Sequence, residues 1–468
     1  MKKYILIILC CLTSFPLWSY NVNMIVEHYS VDQGLPNNTV NCTLKDRDGF
    51  IWFGTWYGLC CFDGVKFKTF NKQEHDSDVP PRKIQRIVED KNGYIWVKTI
   101  DRKLYVFNKV TECFHAVYDD MKNYSENIQV IKLQNTAEGD VLLLTKDKNL
   151  LLAGVDEKGQ VTIKILFDSR DEINKHDYTL KHHVLCETEE YISWIGTDYK
   201  VSAVHKGAEL ASRPADFITS KINSGDKDSF TSFFEDGRKV WVGDRAGIFY
   251  SIDVRTGLVN RYVLSEIKGA ISNLLVTPAG YVYLSVAGQG TYEYDLAERR
   301  LQKINTEMND AMVTHAFIDQ YDKIWFHENE KALIYYDPLN HTAKRFPFTM
   351  FGKITTLYSE DAGERGLFFL SPAGEAWLFD REHVEMVYIN KLKQLSNDRA
   401  NQQFYHLMLD NDGVLWLSSA DEGVYCMNFP KKQFNLLSLS PQSAGQENYT
   451  RGVRALFQSK SGDIWVGT

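Results

Sequence analysis

The 468-residue sequence lacks the signatures of several protein classes. No cluster of Lys and Arg stands out and the formal net charge is -8, so we expect no nucleic-acid partner. No apolar run beyond residue 19 is long enough to cross a membrane. G-x-S-x-G, P-loop and dinucleotide motifs are missing, which argues against the hydrolases and nucleotide-binding enzymes that carry them.

Cysteine and histidine patterns are equally uninformative about chemistry. The histidine pair 182–183 and the HENEK stretch at 327–331 lack the helical H-E-x-x-H spacing, so we expect no metal site and no cofactor. Two of the eight cysteines lie in the first twenty residues, and the spacing of the others fits neither a disulfide framework nor a zinc site. We interpret most of these six as buried small hydrophobes: Cys42, Cys60, Cys61, Cys113, Cys186 and Cys426.

The N-terminus has the layout of a secretory signal peptide. Lys2 and Lys3 precede an apolar run from Tyr4 to Leu12, and small or turn-forming residues follow as far as Ser19. The sequence predicts a signal peptide over residues 1–19 and a periplasmic location, with an uncleaved membrane anchor as the alternative.

The sequence is rich in aromatic residues, at 13%, and it is repetitive. A polar turn with Gly is followed by a strand centred on an aromatic residue, in copies such as KDRDGFIWFGT (45–55), EDKNGYIWVKT (89–99), GRKVWVGD (237–244) and LDNDGVLWLSS (409–419). The copies recur at roughly 40–50 residues. Their anchors are Trp52, Trp96, Leu142, Trp194, Trp241, Tyr283, Trp325, Phe369, Trp416 and Trp465.

The repeat predicts the local structure of each copy. Asp48-Gly49 predicts a tight primed hairpin turn. In the strand after it, alternation puts Ile51 and Phe53 on one side of the sheet and Trp52 on the other. Small residues such as Gly54 are expected to let neighbouring backbones approach closely.

Repeats of this length with four short strands are typical of β-propeller blades. We predict an all-β fold: a seven-bladed β-propeller of four-stranded blades over residues 20–350, followed by the start of a second, truncated propeller over 351–468. An alternative break lies in the linker-like stretch 438–452, which leaves nine units upstream. Ile25–Ser30 is expected to complete the last blade and close the ring. Since the unit at Trp465 stops after one or two strands, we expect the chain to be the N-terminal part of a longer protein.

In a propeller, the loops between second and third strands gather on one face with the segments between blades, and this face is the expected binding surface. The DRDG turn is interpreted as architecture, because Arg47, Lys91 and Asn411 stand where a sialidase-type aspartate box has Asp. Aromatic rings stack on sugars, and Arg and Gln hydrogen-bond hydroxyls or carboxylates. We predict no catalytic residues, and as ligand-binding candidates Trp56, Tyr57, Arg102, Tyr199, Arg245 and Gln289.

The opening repeat, with the DQGLPNNTV segment before it (32–40), resembles the two-component-regulator propeller repeat. That repeat occurs in the periplasmic sensor half of hybrid two-component regulators that control polysaccharide utilisation. The matching residues are Gln33-Gly34-Leu35-Pro36, Asp46, Gly49, Ile51, Trp52, Gly54-Thr55, Gly58-Leu59 and Asp63-Gly64.

The resemblance implies a sensor with two seven-bladed propellers, a small β-sandwich, a membrane helix, a histidine kinase, a receiver and a DNA-binding domain. It implies an oligosaccharide ligand, a parent protein in the inner membrane and a homodimer in the full-length sensor. The kinase, receiver and DNA-binding motifs have no counterpart in this sequence, so we expect no enzymatic activity. Membrane contact is expected only through the signal peptide or a downstream helix.

Two alternatives remain open at the level of sequence. One is a glycan-active enzyme on a propeller scaffold, a lyase or a glycosidase. The other is a protein-interaction scaffold, favoured by the many aromatic residues expected in loops.

Overall fold

The protein is described here from a computed structural model. The structure describes residues 25–70, 81–122, 129–147, 149–167, 180–188, 190–196, 201–207, 217–220, 230–304, 313–328, 331–351, 358–361, 366–371, 375–389, 404–428, 455–459 and 464–467. The predicted signal peptide, the linker-like stretch 438–452 and Tyr199 lie outside these ranges.

Within these ranges the chain folds into four-stranded antiparallel sheets in sequence order, which confirms the all-β prediction. Sheets 1 to 3 are formed by Val40–Lys45, Ile51–Thr55, Gly58–Phe62 and Phe67–Phe70 (β2–β5), by Ile84–Glu89, Ile95–Thr99, Leu104–Asn108 and Cys113–Ala116 (β6–β9), and by Val130–Asn135, Val141–Thr145, Leu150–Val155 and Val161–Phe167 (β10–β13).

Sheets 4 to 6 repeat the same order. They are formed by Leu180–Glu187, Tyr191–Gly196, Val201–His205 and Phe217–Ser220 (β14–β17), by Phe230–Glu235, Lys239–Asp244, Phe249–Asp253 and Val259–Tyr262 (β18–β21), and by Ile271–Val276, Tyr281–Val286, Gly290–Asp295 and Arg300–Lys303 (β22–β25).

Sheets 7 and 8 are formed by Val313–Ile318, Ile324–Glu328, Ala332–Asp337 and Thr342–Pro347 (β26–β29), and by Tyr358–Asp361, Leu367–Leu370, Ala376–Asp380 and Glu385–Ile389 (β30–β33). Sheet 9 has three strands of its own, Phe404–Leu409, Leu415–Ser419 and Val424–Asn428 (β34–β36), and Ala455–Gln458 pairs with Ile464–Gly467 (β37 and β38). The described helical segments are short: Tyr118–Met121 (α1) and the 3-10 turns Val31–Gln33 and Phe348–Phe351.

The N-terminal strand Ile25–Tyr29 (β1) supplies the fourth strand of sheet 9. It pairs antiparallel with β36, with Ile25 opposite Asn428 and Tyr29 opposite Val424. The expected strand exchange is therefore present. It occurs in sheet 9, at the alternative break, and not at the predicted boundary near residue 350, where sheet 7 is completed by its own β29. The count of seven blades is not confirmed.

Hydrophobic clusters fill the space between consecutive sheets, including the space between sheet 9 and sheet 1. Sheet 1 shows why each strand is apolar on both sides. Trp52 packs toward sheet 2 in a cluster with Ile84, whereas Ile51 and Phe53 pack toward sheet 9 in a cluster with Trp416. The alternation predicted for this strand is confirmed.

The first strands carry β-bulges at corresponding positions. In seven described sheets the register shifts after the opening residue, as between Val40 and Cys42 in sheet 1. The extra residue reaches the next sheet: Asn41 Nδ2 donates to Ile84 O at 2.7 Å, and Thr231 Oγ1 donates to Ile271 O at 2.6 Å. Bulges change the direction in which a side chain points. Here the redirected side chains form hydrogen bonds between neighbouring first strands.

Candidate ligand-binding face

One face of the molecule is formed by the loops between second and third strands and by the segments that join consecutive sheets; we call it the loop face. Backbone hydrogen bonds run from sheet to sheet along it. The Lys83 N–H donates to Trp56 O at 3.0 Å, the Ile100 N–H donates to Lys83 O at 2.9 Å, and the Val130 N–H donates to Arg102 O at 2.9 Å. These bonds place the loops of sheets 1 and 2 side by side.

Trp56 and Tyr57 are exposed at the loop face, in the turn between β3 and β4. Their exposed fractions are 42% and 63%. Thr55 fixes the turn, because its Oγ1 donates to Gly58 O at 2.8 Å and accepts the Tyr57 N–H at 3.1 Å. The Lys83 ammonium lies 5.2 Å from the centre of the Trp56 ring, close enough for a cation–π interaction.

Arg102 occupies the corresponding turn of sheet 2, between β7 and β8. Its backbone has φ 67°, in the left-handed region, and its N–H donates to Thr99 O at 2.9 Å. The side chain is exposed. The structure thus brings Trp56, Tyr57 and Arg102, three of the six predicted residues, onto neighbouring loops of one face.

Sequence reasoning missed two cationic residues beside Arg102. Lys98 in β7 is only 7% exposed, and Arg86 in β6 is its cross-strand partner. Lys98 Nζ donates to Gln85 Oε1 at 2.8 Å and to the bulged Ile131 O of sheet 3 at 2.6 Å. A signal was present in the sequence, since Lys98 stands where other copies carry a small Gly54 or Gly243.

The electrostatics of this corner are dominated by positive charge. Burial, together with the charges of Arg102 and Arg86, lowers the pKa of Lys98 to about 8. The charge of Arg86 also affects a histidine in the first strand of sheet 9. Burial, assisted by the Arg86 charge, lowers the pKa of His406 in sheet 9 to about 4, so that imidazole is neutral near pH 7.

The other predicted residues lie elsewhere on the loop face. Arg245 is exposed in the turn between β19 and β20. The side-chain amide of Gln289 is held by a neighbouring segment, because its Oε1 accepts the Lys268 N–H at 2.7 Å and its Nε2 donates to Glu266 O at 3.0 Å. Arg245 and Gln289 belong to sheets 5 and 6, separate from the Trp56–Arg102 group.

The opposite face, formed by the turns between first and second strands and between third and fourth strands, is called the turn face. On this face, the Asp of the repeated turn accepts a hydrogen bond from the Trp of the following strand. Trp52 Nε1 donates to Asp46 Oδ2 at 2.8 Å, while Asp46 Oδ1 accepts the N–H groups of Asp48 and Phe50. The same Asp–Trp pairs occur at Asp90–Trp96, Asp236–Trp241, Asp319–Trp325 and Asp410–Trp416.

The DRDG turn differs from the predicted primed hairpin. The Asp46 N–H donates to Phe50 O and the Gly49 N–H donates to Asp46 O. Gly49 has φ 91°, whereas Asp48 does not have a positive φ. The turn is thus a longer hairpin loop that ends in a left-handed Gly. Its interpretation as architecture is supported by the buried Asp46–Trp52 hydrogen bond.

Three carboxylates of the turn face, those of Asp46, Asp48 and Glu89, lie close enough together to hold a cation. Lys109 Nζ occupies that position, at 3.0 Å from Asp46, 2.7 Å from Asp48 and 2.8 Å from Glu89. This cluster is therefore an ion-pair network that joins sheets 1 and 2. The side chains of His182 and His183, in β14, lie outside the described part of the structure.

Comparison with solved structures gives distant fold-level similarity. The extracellular domain of a putative hybrid two component system from B. thetaiotaomicron has 14% identity and a TM-score of 0.34, over 95% of this chain and 64% of that one. A second such domain from B. thetaiotaomicron has 14% identity and a TM-score of 0.36, over 86% and 66%. Virginiamycin B lyase from Staphylococcus aureus has 9% identity and a TM-score of 0.36, over 76% and 97%.

The chain spans less than two thirds of the length of these B. thetaiotaomicron domains, at 64% and 66%. No curated protein matches the sequence. Within the described ranges, the helices are too short and too polar to cross a membrane. Residues 34–57, which hold the DRDG turn, Trp52 and both exposed aromatic residues, match the family model of the two component regulator propeller, and the resemblance to that repeat is confirmed.

Proposed function

We propose that this chain is the ligand-sensing propeller region of a hybrid two-component regulator, exported to the periplasm, where it binds an oligosaccharide on the loop face. The observation that carries the proposal is the family-model match at residues 34–57, which ends on the exposed Trp56 and Tyr57. In this proposal the chain binds and does not catalyse. Kinase and DNA-binding functions belong to the parent protein.

The geometry of sheet 1 supports a binding role for Trp56 and Tyr57. Thr55 holds the turn rigid beneath them, and stacking of a sugar on a fixed aromatic ring costs little ordering entropy. The polar backbone and the cations of the neighbouring loops offer hydrogen bonds to sugar hydroxyls.

Titration calorimetry of the full chain against a panel of plant, host and microbial oligosaccharides tests the proposal. We expect one class of glycan to bind and the Trp56→Ala variant to weaken it by about tenfold, because a stacked ring contributes roughly 1–2 kcal/mol. Phe50→Ala is the matched control, since Phe50 has the same 42% exposure but lies on the turn face. Silence across the whole panel, or equal losses in both variants, contradicts the proposal.

A further inference from the structure

The corner of the loop face beside Arg102 holds positive charges that have no carboxylate partner among the residues the structure describes. Arg86 and Lys98 are directly opposite each other on β6 and β7, an arrangement that costs free energy for like charges. Arg102 adds a third cation in the turn that follows β7. Among the described residues, none of the three forms an ion pair with a carboxylate, and the neighbouring Asp101 pairs with Lys103 at 3.4 Å.

Lys98 is the most unusual member of this group. An ammonium group has three donors, and two of them are used by the neutral oxygens of Gln85 and Ile131. A buried cation normally has a charged partner, because removing it from water is costly. Lysines of the turn face follow that rule: Lys109 pairs with Asp46, and Lys323 pairs with Asp337 at 2.7 Å.

Two of these residues, Arg86 and Arg102, are exposed and can meet a ligand near the centre of the molecule. Arg86 is an exposed residue of the first strand β6, and the first strands of neighbouring sheets pack against one another around the central channel. Its charge acts on Lys98 of sheet 2 and on His406 of sheet 9. Arg86 thus lies near the loop-face end of the first strand β6, Arg102 lies in a turn of the same face, and Lys98 is the buried cross-strand partner of Arg86.

We propose that Arg86, Lys98 and Arg102 form an anion-binding site at the mouth of the channel, which takes a carboxylate or sulfate group of a ligand on the loop face. The guanidinium groups bind the anion, and Lys98 supplies a fixed positive charge with one free donor. The neighbouring Trp56 and Lys83 are joined to the Ile100 segment by backbone hydrogen bonds, so a sugar ring stacked on Trp56 would be close to this site.

The ligand class that follows is an acidic oligosaccharide, one that carries uronate or sulfate groups. That identification rests on the proposed glycan-sensing function, whereas the anion site itself does not. The charge-assisted hydrogen bonds of Arg to carboxylate or sulfate are the strongest a protein offers to such groups. A neutral ligand would not offset the cost of the buried Lys98 ammonium or its repulsion by Arg86.

The test measures the thermal unfolding midpoint of the full chain with low millimolar sodium sulfate or sodium glucuronate, at ionic strength matched with sodium chloride. Lys98→Met and Arg102→Asn remove the charges, and Asn tolerates the left-handed backbone at this turn. Lys158→Met and Arg255→Asn are matched controls on exposed turns of the turn face. We expect both anions to raise the midpoint of the wild type and of the controls, and to do so far less in the two site variants.

A structural role for Lys98 gives a different result. If Lys98 serves only to tie sheet 2 to sheet 3, Lys98→Met lowers the midpoint without any anion and leaves the sulfate shift intact, which overturns the proposal. If it is an anion site, Lys98→Met raises the midpoint without anion and removes the sulfate shift. Absence of any sulfate or glucuronate shift in the wild type also overturns it.

Calorimetry with acidic and neutral oligosaccharides separates this inference from the function on which its ligand class rests. Binding of uronate- or sulfate-bearing glycans that weakens about tenfold in Arg102→Asn supports both. An anion shift with no glycan binding supports the site and contradicts glycan sensing. Binding of neutral glycans alone, with no anion shift, supports glycan sensing and overturns the anion site.

Discussion

At the scale of single residues, the Asp that precedes a Trp anchor has two functions: it accepts backbone N–H groups of its own turn, and it accepts the indole N–H of the Trp. Asp90 Oδ1 accepts the N–H groups of Asn92 and Tyr94, and its Oδ2 accepts Trp96 Nε1 at 2.9 Å. A buried indole N–H needs such a partner. In the copies with Leu142 and Tyr283 at the anchor, the turn carries Thr136 and Thr277 instead.

Replacing this Asp is expected to cost more than the loss of a turn. Asp90→Ala leaves the buried Trp96 N–H and the Val155 N–H of sheet 3 without their acceptor, so we expect the free energy of unfolding to fall by about 2–3 kcal/mol. Asp156→Ala is the control, since Asp156 accepts the N–H groups of Lys158 and Gln160 and has no Trp partner, and it should cost about 1 kcal/mol. Urea unfolding of the three proteins measures the difference, and equal losses would show that the hydrogen bonds of Asp90 to Trp96 and Val155 add nothing.

The buried ammonium of Lys98 makes stability depend on pH in a defined window. Its pKa is lowered to about 8 in the folded protein, against roughly 10.4 in an unfolded chain. Between these values the unfolded state binds more protons, so the contribution of Lys98 to the free energy of unfolding rises as the pH rises from 8 toward 10 and is constant and unfavourable below 8.

The comparison of wild type with Lys98→Met isolates this contribution. We expect the variant to be more stable near pH 7 and the advantage to shrink as the pH approaches about 10, because the wild-type ammonium is then deprotonated. Denaturant unfolding at a series of pH values provides the measurement, with Lys158→Met as the control. If the stability difference between wild type and Lys98→Met stayed constant from pH 8 to about 10, the charged form of Lys98 would not be destabilised in the folded protein.

At the scale of strands and sheets, small residues set the spacing between neighbours. A Cβ atom added at Gly54 would lie 2.4 Å from Cys42 Sγ and 2.6 Å from Ile84 Cγ2 of sheet 2. Gly243 has the same environment, with Ser232 Oγ at 2.4 Å and Ile271 Cγ2 at 2.7 Å. The sequence predicts close approach of backbones at these positions, but the space is taken by side chains, one from the same sheet and one from the next.

Gly54→Ala should therefore separate sheets 1 and 2. We expect a loss of about 1–3 kcal/mol in the free energy of unfolding, because the neighbouring Ile84 belongs to a filled core cluster. Gly154→Ala is the control, since its nearest atom would be Asp140 Oδ1 at an ordinary 3.5 Å. If both variants lose the same stability, the cost comes from the glycine backbone and not from the packing of the sheets.

Prediction from sequence succeeded where the information is local. The spacing of the Trp anchors identified the second strands, and alternation identified the two sides of β3. The pairing of Arg86 with Lys98 was missed because it depends on the register of two strands, and a bulge after Ile84 shifts that register by one residue. The exposure of Trp56 and Arg102 was predictable because exposed loops follow directly from the repeat, whereas Gln289 is held by a segment that the repeat does not predict.

At the scale of the whole molecule, the sheet that receives β1 decides how the ring is closed. Tyr29 packs beside Phe62 and Trp416, and Val26 packs against the cluster between sheets 8 and 9, so β1 joins sheet 9 to sheet 1 through both backbone and core. This contact spans nearly the whole chain. Local periodicity cannot specify it, because any sheet with three strands and an open edge offers β1 the same hydrogen bonds.

A natural thiol allows the closure to be tested directly. Glu27 and Cys426 are cross-strand partners in the pairing of β1 with β36, and such partners are separated by about 4.5–5.5 Å between Cα atoms, within the range that a disulfide spans. Glu27→Cys is therefore expected to form a disulfide with Cys426 under oxidising conditions and to raise the free energy of unfolding by about 2–4 kcal/mol. Mass spectrometry of the digested protein identifies the linked peptides. Glu27→Cys combined with Cys426→Ser is the control and should show no link and no gain. If β1 instead completed sheet 7, residues 27 and 426 would lie on different sheets. Failure of the two thiols to pair would therefore contradict closure of the ring in sheet 9 and favour closure near residue 350.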